Sequence, residues 1–180
     1  RLVKERENIG AVNLRVEKTL SSLKGFSEEL RDRGTVPGQK WLLKERSLPT
    51  ASESMSLGIS PKQNVIRLVR IRLADDFPIA IEKAVVPQEF LPSPDFVTDS
   101  LYDALLLCKK LPVRGTQRIR AGVMTMAEAE ALSSSAGSPL LIIERQCFLK
   151  NGRAIEFTET RYHGERYDFI SDLQNDQLIL

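Results

Sequence analysis

The sequence has little of the chemistry on which most enzymes and metal sites depend. Its 180 residues include one histidine, His163, and two cysteines, Cys108 and Cys147, which lie 39 positions apart. Two such distant cysteines are too few for a disulfide framework or a four-ligand zinc site. Hydrolases that use a Ser-His-Asp triad, a Cys-His pair or zinc need a histidine, and His163 stands in a predicted loop without suitable partners. We therefore expect no metal, no cofactor and no catalysis.

Nucleotide fingerprints and membrane-spanning segments are also absent from the sequence. Neither GxGxxG nor GxxxxGK[ST] occurs, so neither kind of nucleotide site is expected. The longest apolar runs, such as residues 104–108, are far shorter than the roughly 18 residues that cross a bilayer. No secretory signal is recognisable at the start of the sequence. These absences favour a cytoplasmic protein without membrane contacts.

An excess of charge of one sign is lacking as well. Lysine and arginine number 26 and aspartate and glutamate number 24, which gives a formal net charge of +2. The two signs are interspersed, as is typical of a solvated surface, whereas nucleic-acid-binding domains concentrate basic residues on one face. No helix-turn-helix, zinc-finger or aromatic-basic RNA motif is present. If the protein acts on DNA, we expect it to do so through other residues.

The hydrophobic pattern predicts strands that follow one another as hairpins. Residues 65–73 are β-branched with period two, and Asp75-Asp76 forms a turn before the returning strand at 78–82. Asn151-Gly152 is a second hairpin signal. Further strands are predicted over residues 12–16, 40–45, 113–123, 139–150, 153–161 and 167–170. Since the strands do not alternate one-to-one with helices, we predict an α+β fold with a mainly antiparallel sheet and helices on one side.

Short helices are predicted between these strands. Ser27 and Ser100 stand near the starts of helices over residues 26–34 and 100–110, where a serine is a favourable N-cap. The two further predicted helices begin with capping boxes, Thr50-x-x-Glu53 and Thr125-x-x-Glu128. The start of a helix also has free backbone N–H groups that attract anions. Ser27 and Ser100 are therefore either plain caps or part of an anion site.

Two arginines are the first candidate functional residues. Arg70 and Arg72 lie two positions apart in a predicted strand, so both side chains point to the same face. Parallel guanidinium groups repel each other unless an anion or a carboxylate lies between them, and they match phosphate or carboxylate oxygens well. The alternatives are a solvated face or a salt bridge to Glu82 across the hairpin.

Two glutamates stand in apolar surroundings, Glu82 after Ile79-Ala80-Ile81 and Glu156 after Ala154-Ile155. A carboxylate in such a place is either an ion-pair partner or an acceptor for the hydroxyl groups of a ligand. Glu156 shares its strand face with Thr158, Thr160 and, if the strand continues, Tyr162. This polar row is either the wall of a pocket or the solvated side of a sheet.

Five segments of the sequence form a recognisable series: residues 26–30 with Arg33-Gly34, residues 70–75, residues 78–82, residues 100–102, and residues 152–157 with Tyr162, Gly164, Arg166, Tyr167 and Phe169. In their order and spacing they resemble the UTRA domain, the effector-binding half of the HutC branch of GntR transcription regulators. The resemblance implies a fold like that of chorismate lyase, an antiparallel sheet with flanking helices. It also implies a homodimer that binds operator DNA through an N-terminal winged helix-turn-helix domain outside this sequence. Residues 1–20 would be the interdomain linker and first strand, and residues 21–180 the effector-binding domain.

Within that family the chain resembles regulators of amino-sugar use, which respond to N-acetylglucosamine-6-phosphate or glucosamine-6-phosphate. This resemblance implies a sugar phosphate as effector and allosteric control of operator binding. The residues that it assigns to the effector are Phe26, Ser27, Ser100 and Tyr102 around the phosphate, Arg70 and Arg72 as counter-charges, and Glu82, Glu156 and Tyr162 at the sugar hydroxyl groups.

Three other functions remain compatible with the residues. Relatives of this scaffold bind other organic acids or phosphonates. A chorismate-lyase-like enzyme would share the fold and use arginine and glutamate. A dimerisation module with a vestigial pocket would bind no ligand at all.

Overall fold

The computed structural model describes residues 16–19, 23–171 and 173. In this part of the chain the elements are β1 Val16–Thr19, α1 Phe26–Asp32, β2 Pro37–Ser47, α2 Ala51–Leu57, β3 Val65–Ala74, β4 Phe77–Pro87, α3 Leu101–Leu107, β5 Arg114–Val123, α4 Met126–Ala131, β6 Pro139–Phe148, β7 Ala154–His163 and β8 Tyr167–Ile170. Two single-turn 3-10 helices, Gln88–Phe90 and Pro94–Phe96, connect β4 to α3. The strand predicted over residues 12–16 falls outside the described residues except for Val16.

Six of the strands form one sheet in the order β2-β3-β4-β7-β6-β5. Every neighbouring pair in it is antiparallel. The strands β1 and β8 pair in parallel as a separate two-stranded sheet. The predicted α+β class with an antiparallel sheet is therefore confirmed.

Helices cover both faces of the six-stranded sheet, so the expectation of helices on one side was wrong. On one face, called here the α1–α3 face, Leu30 of α1 and Leu105 of α3 are buried in the two larger core clusters. On the opposite face Leu57 of α2 and Leu132 after α4 pack against apolar residues of the sheet. Alternate residues of a strand point to opposite faces, and here both sets are largely apolar, so both faces require cover.

The predicted capping boxes are confirmed at both helices of the second face. Thr50 accepts a hydrogen bond from the backbone of Glu53, whose carboxylate binds the backbone of Thr50 in return. Thr125 and Glu128 make the same reciprocal pair. Every helix in the described part of the chain is too short or too polar to traverse a membrane.

The predicted Asp75-Asp76 turn joins β3 and β4. Asp75 has φ 47° and Asp76 has φ 67°, both in the left-handed region that L-residues adopt with strain. Asp75 has a structural reason for its place, because its Oδ1 accepts a hydrogen bond of 2.9 Å from the backbone N–H of Val36.

We expect Asp76→Gly to stabilise the domain. Glycine adopts positive φ without strain and is favoured in two-residue hairpin turns, but it is also freer in the unfolded chain, so the net gain is about 0.5 kcal/mol. The matched control Asp75→Gly relieves a similar strain but loses the hydrogen bond to Val36, and it should gain nothing. Thermal unfolding of both variants measures this difference. A lower melting temperature for Asp76→Gly than for the parent would contradict the strain argument.

Candidate ligand-binding cavity

A cavity opens on the α1–α3 face between the start of α1, the start of α3 and the sheet beneath them. About 520 Å³ of space, open solvent at the mouth included, lies among its lining residues. All nine residues to which the family resemblance assigns effector contacts line it. The other lining residues are Gly25, Leu101, Ile143, Arg145, Thr158 and Thr160. The structure thus gathers every predicted site residue in one place.

The register of the sheet explains why residues so distant in sequence share this cavity. Arg70 on β3 is paired with Glu82 on β4, Glu82 with Thr160 on β7, and Thr160 with Ile143 on β6. Paired residues of neighbouring strands point to the same face, so these four side chains form a row across the floor of the cavity. The polar row of β7 therefore lines a cavity and is not the solvated side of a sheet. Its residues are Glu156, Thr158, Thr160 and Tyr162.

The two predicted arginines have different surroundings. Arg70 is paired with Glu82, whose Oε1 lies 2.8 Å from Nε and 2.7 Å from Nη2, and its Nη1 donates to the carbonyl oxygen of Asp99 at 2.6 Å. Arg72 donates from Nη2 to Ser27 Oγ at 3.0 Å. Its Nε has no hydrogen-bond partner and lies 4.0 Å from Glu82 Oε2. Arg70 therefore forms the salt bridge to Glu82 that was one of the alternatives, whereas Arg72 approaches the same carboxylate only to 4.0 Å.

Arg72 carries a charge that the surrounding protein compensates poorly. The residue is only 1% exposed, so water solvates its charge little. A cation–π contact compensates part of this loss, because the guanidinium carbon lies 4.0 Å from the centre of the Phe26 ring. Burial lowers the pKa of Arg72 to about 10, with Glu82 opposing this effect and Arg70 adding to it. An anion that enters the cavity beside Arg72 would stabilise the guanidinium and find hydrogen-bond donors ready.

The two predicted serines reach the cavity in different ways. Ser100 is the N-cap of α3, and its Oγ accepts a hydrogen bond of 3.1 Å from the backbone N–H of Asp103. Ser27 is not a cap, which corrects the prediction, because α1 begins at Phe26 and its N-cap residue is Gly25. The hydroxyl of Ser27 instead accepts the hydrogen bond from Arg72, a partner that a local capping rule could not indicate.

The opposite end of the cavity contains a carboxylate and two weakly acidic groups. Thr158 donates to Glu156 Oε1 at 2.6 Å, whereas Oε2 of the same carboxylate has no hydrogen-bond partner. The hydroxyl of Tyr102 lies 3.5 Å from Cys147 Sγ. Burial, reinforced by the nearby charge of Glu156, raises the pKa of both Tyr102 and Cys147. Both groups therefore stay protonated at neutral pH.

The end of β7 forms one side wall of the cavity. Tyr162 continues the strand as expected, and its ring stacks on that of Tyr167 with centroids 4.1 Å apart. His163, predicted in a loop, is the last residue of β7 and is buried. Its Nε2 lies 3.1 Å from Ser134 Oγ, next to the end of α4. Among the described residues no group of His, Cys, Asp and Glu side chains is arranged to hold a metal ion.

Arg145 is the lining residue of most chemical interest that the sequence analysis did not single out. It lies on β6 between Ile143 and Cys147, two positions from each, and so shares their face. The signal was available, since a cation in a row of inward-facing apolar residues is the same pattern that identified Arg70. Without knowledge that β6 neighbours β7, however, nothing connected Arg145 with Glu156.

Comparison with known proteins supports this description of the fold. Residues 32–168 match the UTRA domain. Over 159 residues the chain is 30% identical to the HTH-type transcriptional repressor NagR of Bacillus subtilis (strain 168). This alignment covers 87% of this chain and 65% of NagR. A transcriptional regulator of the GntR family from Enterococcus faecalis V583 superposes with a TM-score of 0.70 at 27% identity, over 77% of this chain and 100% of that one.

The effector domain of PhnF from Mycobacterium smegmatis has the same fold, with a TM-score of 0.83 at 20% identity over 89% of this chain and all of that domain. The chain spans only about 65% of the length of the curated relatives NagR and GgaR. The described fold and the family match agree with the resemblance inferred from the sequence, and the chain belongs to the UTRA domain family of GntR-type transcription regulators.

Proposed function

We propose that this chain is the ligand-sensing and dimerisation domain of a bacterial transcription regulator, and that its cavity binds a phosphorylated amino sugar. The observation that carries the proposal is the unequal chemistry of the two ends of the cavity. One end has a buried arginine with an unpaired N–H, Arg72, and the other has a buried carboxylate oxygen without a donor, on Glu156. A ligand with an anion at one end and hydrogen-bond donors at the other satisfies both groups.

The arginine end suits a phosphate group. Arg70 and Arg72 supply two guanidinium groups on one face, and Ser27 and Ser100 bring hydroxyl groups to the same cavity. A phosphate dianion has enough acceptor oxygens to take several of these donors at once. Because Glu82 already neutralises Arg70, Arg72 is the residue expected to gain most from the ligand.

The carboxylate end suits the hydroxyl groups of a sugar ring. Glu82 on β4 and Glu156 and Tyr162 on β7 line the same cavity. An ionised carboxylate only accepts hydrogen bonds, so its natural partner is a hydroxyl or amino donor. These three residues are the proposed sugar contacts.

The proposed mechanism is allosteric and not catalytic. The ligand contacts α1, α3 and the sheet together, so it favours the arrangement in which these elements lie close. A ligand shifts an equilibrium only by its different affinities for the two states, and a coupling of about 1–3 kcal/mol is typical. In the complete cytoplasmic homodimer, residues 1–20 would transmit this shift to N-terminal domains that bind operator DNA.

We expect N-acetylglucosamine-6-phosphate to stabilise the domain against heat in a buffer free of phosphate and sulfate. At 100 times its dissociation constant a ligand adds about 2.7 kcal/mol to the stability of the native state. For a domain of this size the melting temperature should then rise by about 5–10 °C. Differential scanning fluorimetry measures the shift.

The control ligands decide between the candidate functions. Unphosphorylated N-acetylglucosamine should give no shift, because the arginine end then stays unfilled. Fructose-6-phosphate tests whether any sugar phosphate suffices, and glucosamine-6-phosphate tests the second candidate effector. A shift with chorismate, together with release of pyruvate, would indicate the lyase instead. No shift with any compound would contradict the amino-sugar proposal.

A further inference from the structure

A third arginine, Arg145, lines the cavity together with Arg70 and Arg72. Arg145 is paired with Thr158 in the register between β6 and β7, whereas Arg72 is on β3 in the row that contains Tyr162. The two arginines are therefore separated by three steps from strand to strand and by two rows along the strands. The phosphate contacts proposed above use Arg70 and Arg72, so Arg145 needs another explanation.

Arg145 has few partners in the described part of the chain. Its one hydrogen bond there runs from Nη1 to the carbonyl oxygen of Lys24 and is long, at 3.3 Å. Although burial disfavours its charge, the neighbouring Tyr102 and Glu156 raise the pKa of Arg145, so the guanidinium stays charged. Most of its donors are thus available to a ligand.

Glu156 faces the same space without an ion pair to Arg145. Among the described residues no oxygen of Glu156 comes within salt-bridge distance of the guanidinium, and Glu156 Oε2 has no donor although the residue is only 4% exposed. A half-buried cation beside a buried carboxylate that it does not touch is unfavourable unless something lies between them. The group that completes this arrangement must accept from Arg145 and donate to Glu156 at the same time.

A secondary amide has this chemistry. Its C=O and N–H point in opposite directions, so it can bridge a guanidinium on one side and a carboxylate on the other. A free ammonium group can only donate, and the charge of Arg145 would repel it. The buried side chain of Ile143, which also lines the cavity, offers an apolar contact for an acetyl methyl group.

We propose that Arg145 and Glu156 form an acetamido subsite, and that the cavity therefore prefers the N-acetylated sugar phosphate to the free amine. This inference rests on the proposed function and narrows it to one ligand class. Arg145 is then the residue that determines specificity.

The test is isothermal titration calorimetry of the parent chain with N-acetylglucosamine-6-phosphate, glucosamine-6-phosphate and glucose-6-phosphate. We expect the acetylated ligand to bind at least about tenfold more tightly than the amine, because the amine leaves donors of Arg145 unpaired. In Arg145→Met the acetylated ligand should lose about 10- to 100-fold in affinity, while the amine binds equally or more tightly. Arg118→Met, at an arginine on β5 whose side chain is 79% exposed, is the matched control and should change neither affinity.

The outcomes separate this inference from the function on which it rests. If the parent chain binds the amine as tightly as the acetylated ligand, or if Arg145→Met weakens both equally, the acetamido subsite is wrong and the sugar-phosphate proposal stands. If no sugar phosphate binds the parent chain, both are wrong. Since the parent comparison needs no variant, poor folding of Arg145→Met would not remove the test.

Discussion

Replacing Arg72 by methionine is expected to weaken the binding of N-acetylglucosamine-6-phosphate by about 100-fold or more. Truncating one partner of a buried, charge-assisted hydrogen-bonded pair typically costs about 2–5 kcal/mol of binding free energy. Arg72 should lie at the upper end of that range, because its Nε has no hydrogen-bond partner in the ligand-free protein. Calorimetric titration of the variant and the parent chain measures the change.

The same substitution should leave the ligand-free protein at least as stable as the parent. Burial disfavours the charge of Arg72 and lowers its pKa, and replacing a buried charge by an apolar side chain of similar length is often neutral or stabilising. A variant that melts normally and no longer binds the ligand would assign Arg72 to function. Undiminished binding would show that the phosphate lies elsewhere.

On the opposite face of the sheet, Arg67→Met is expected to lower the free energy of unfolding by about 3 kcal/mol. Arg67 donates from Nη2 to Glu53 Oε2 at 2.6 Å and from Nε to Glu53 Oε1 at 3.1 Å. It also donates from Nη1 to Ser47 Oγ and to Glu45. Since the Glu53 side chain is only 2% exposed, the variant leaves a buried carboxylate without its main partner. Urea unfolding measures the loss.

A surface ion pair provides the matched control for Arg67. Arg153 binds Glu89 through two hydrogen bonds, but the two side chains are 48% and 39% exposed. Exposed pairs contribute at most about 1 kcal/mol, so Arg153→Met should cost much less than Arg67→Met. Equal losses would contradict the view that burial of Glu53 makes its pairing important.

The Arg67 prediction also fixes the direction of a pH dependence. Burial alone would raise the pKa of Glu53, but the hydrogen bonds from Arg67 and from the Thr50 backbone outweigh it and hold the pKa below the usual 4.5. A depressed carboxyl pKa stabilises the protein above the pKa of the unfolded chain, and this stabilisation is lost as the pH falls. Below pH 4.5 the difference in free energy of unfolding between the parent chain and Arg67→Met, measured by urea unfolding, should therefore become smaller.

The sequence predicted the parts of the fold that depend on neighbours in the chain. Period two placed Arg70 and Arg72 on one face, and the capping boxes at Thr50 and Thr125 began the helices expected of them. These features are decided within a few residues. The pairing of β4 with β7, which brings Glu82 beside Thr160, depends on contacts almost 80 positions apart and is not visible in local pattern.

The errors have the same origin. Ser27 matched a capping rule, but its hydroxyl is bound by Arg72, 45 positions away. Arg145 was passed over because its importance depends on the neighbouring strand that carries Glu156. Helices on one side were expected because the sequence does not reveal which face each helix will cover. The family resemblance supplied the grouping of residues that the local rules could not.

The parallel pairing of β1 with β8 has a mechanical consequence. Val16, at the start of β1, is in register with Tyr167 on β8, and Tyr167 stacks on Tyr162 in the wall of the cavity. The backbone hydrogen bonds between β1 and β8 thus connect Val16 with a strand whose Tyr167 packs on the wall of the cavity. A displacement of β1 would therefore reach the cavity wall through one pair of strands and one pair of stacked rings, and a displacement of the wall would reach β1 by the same route.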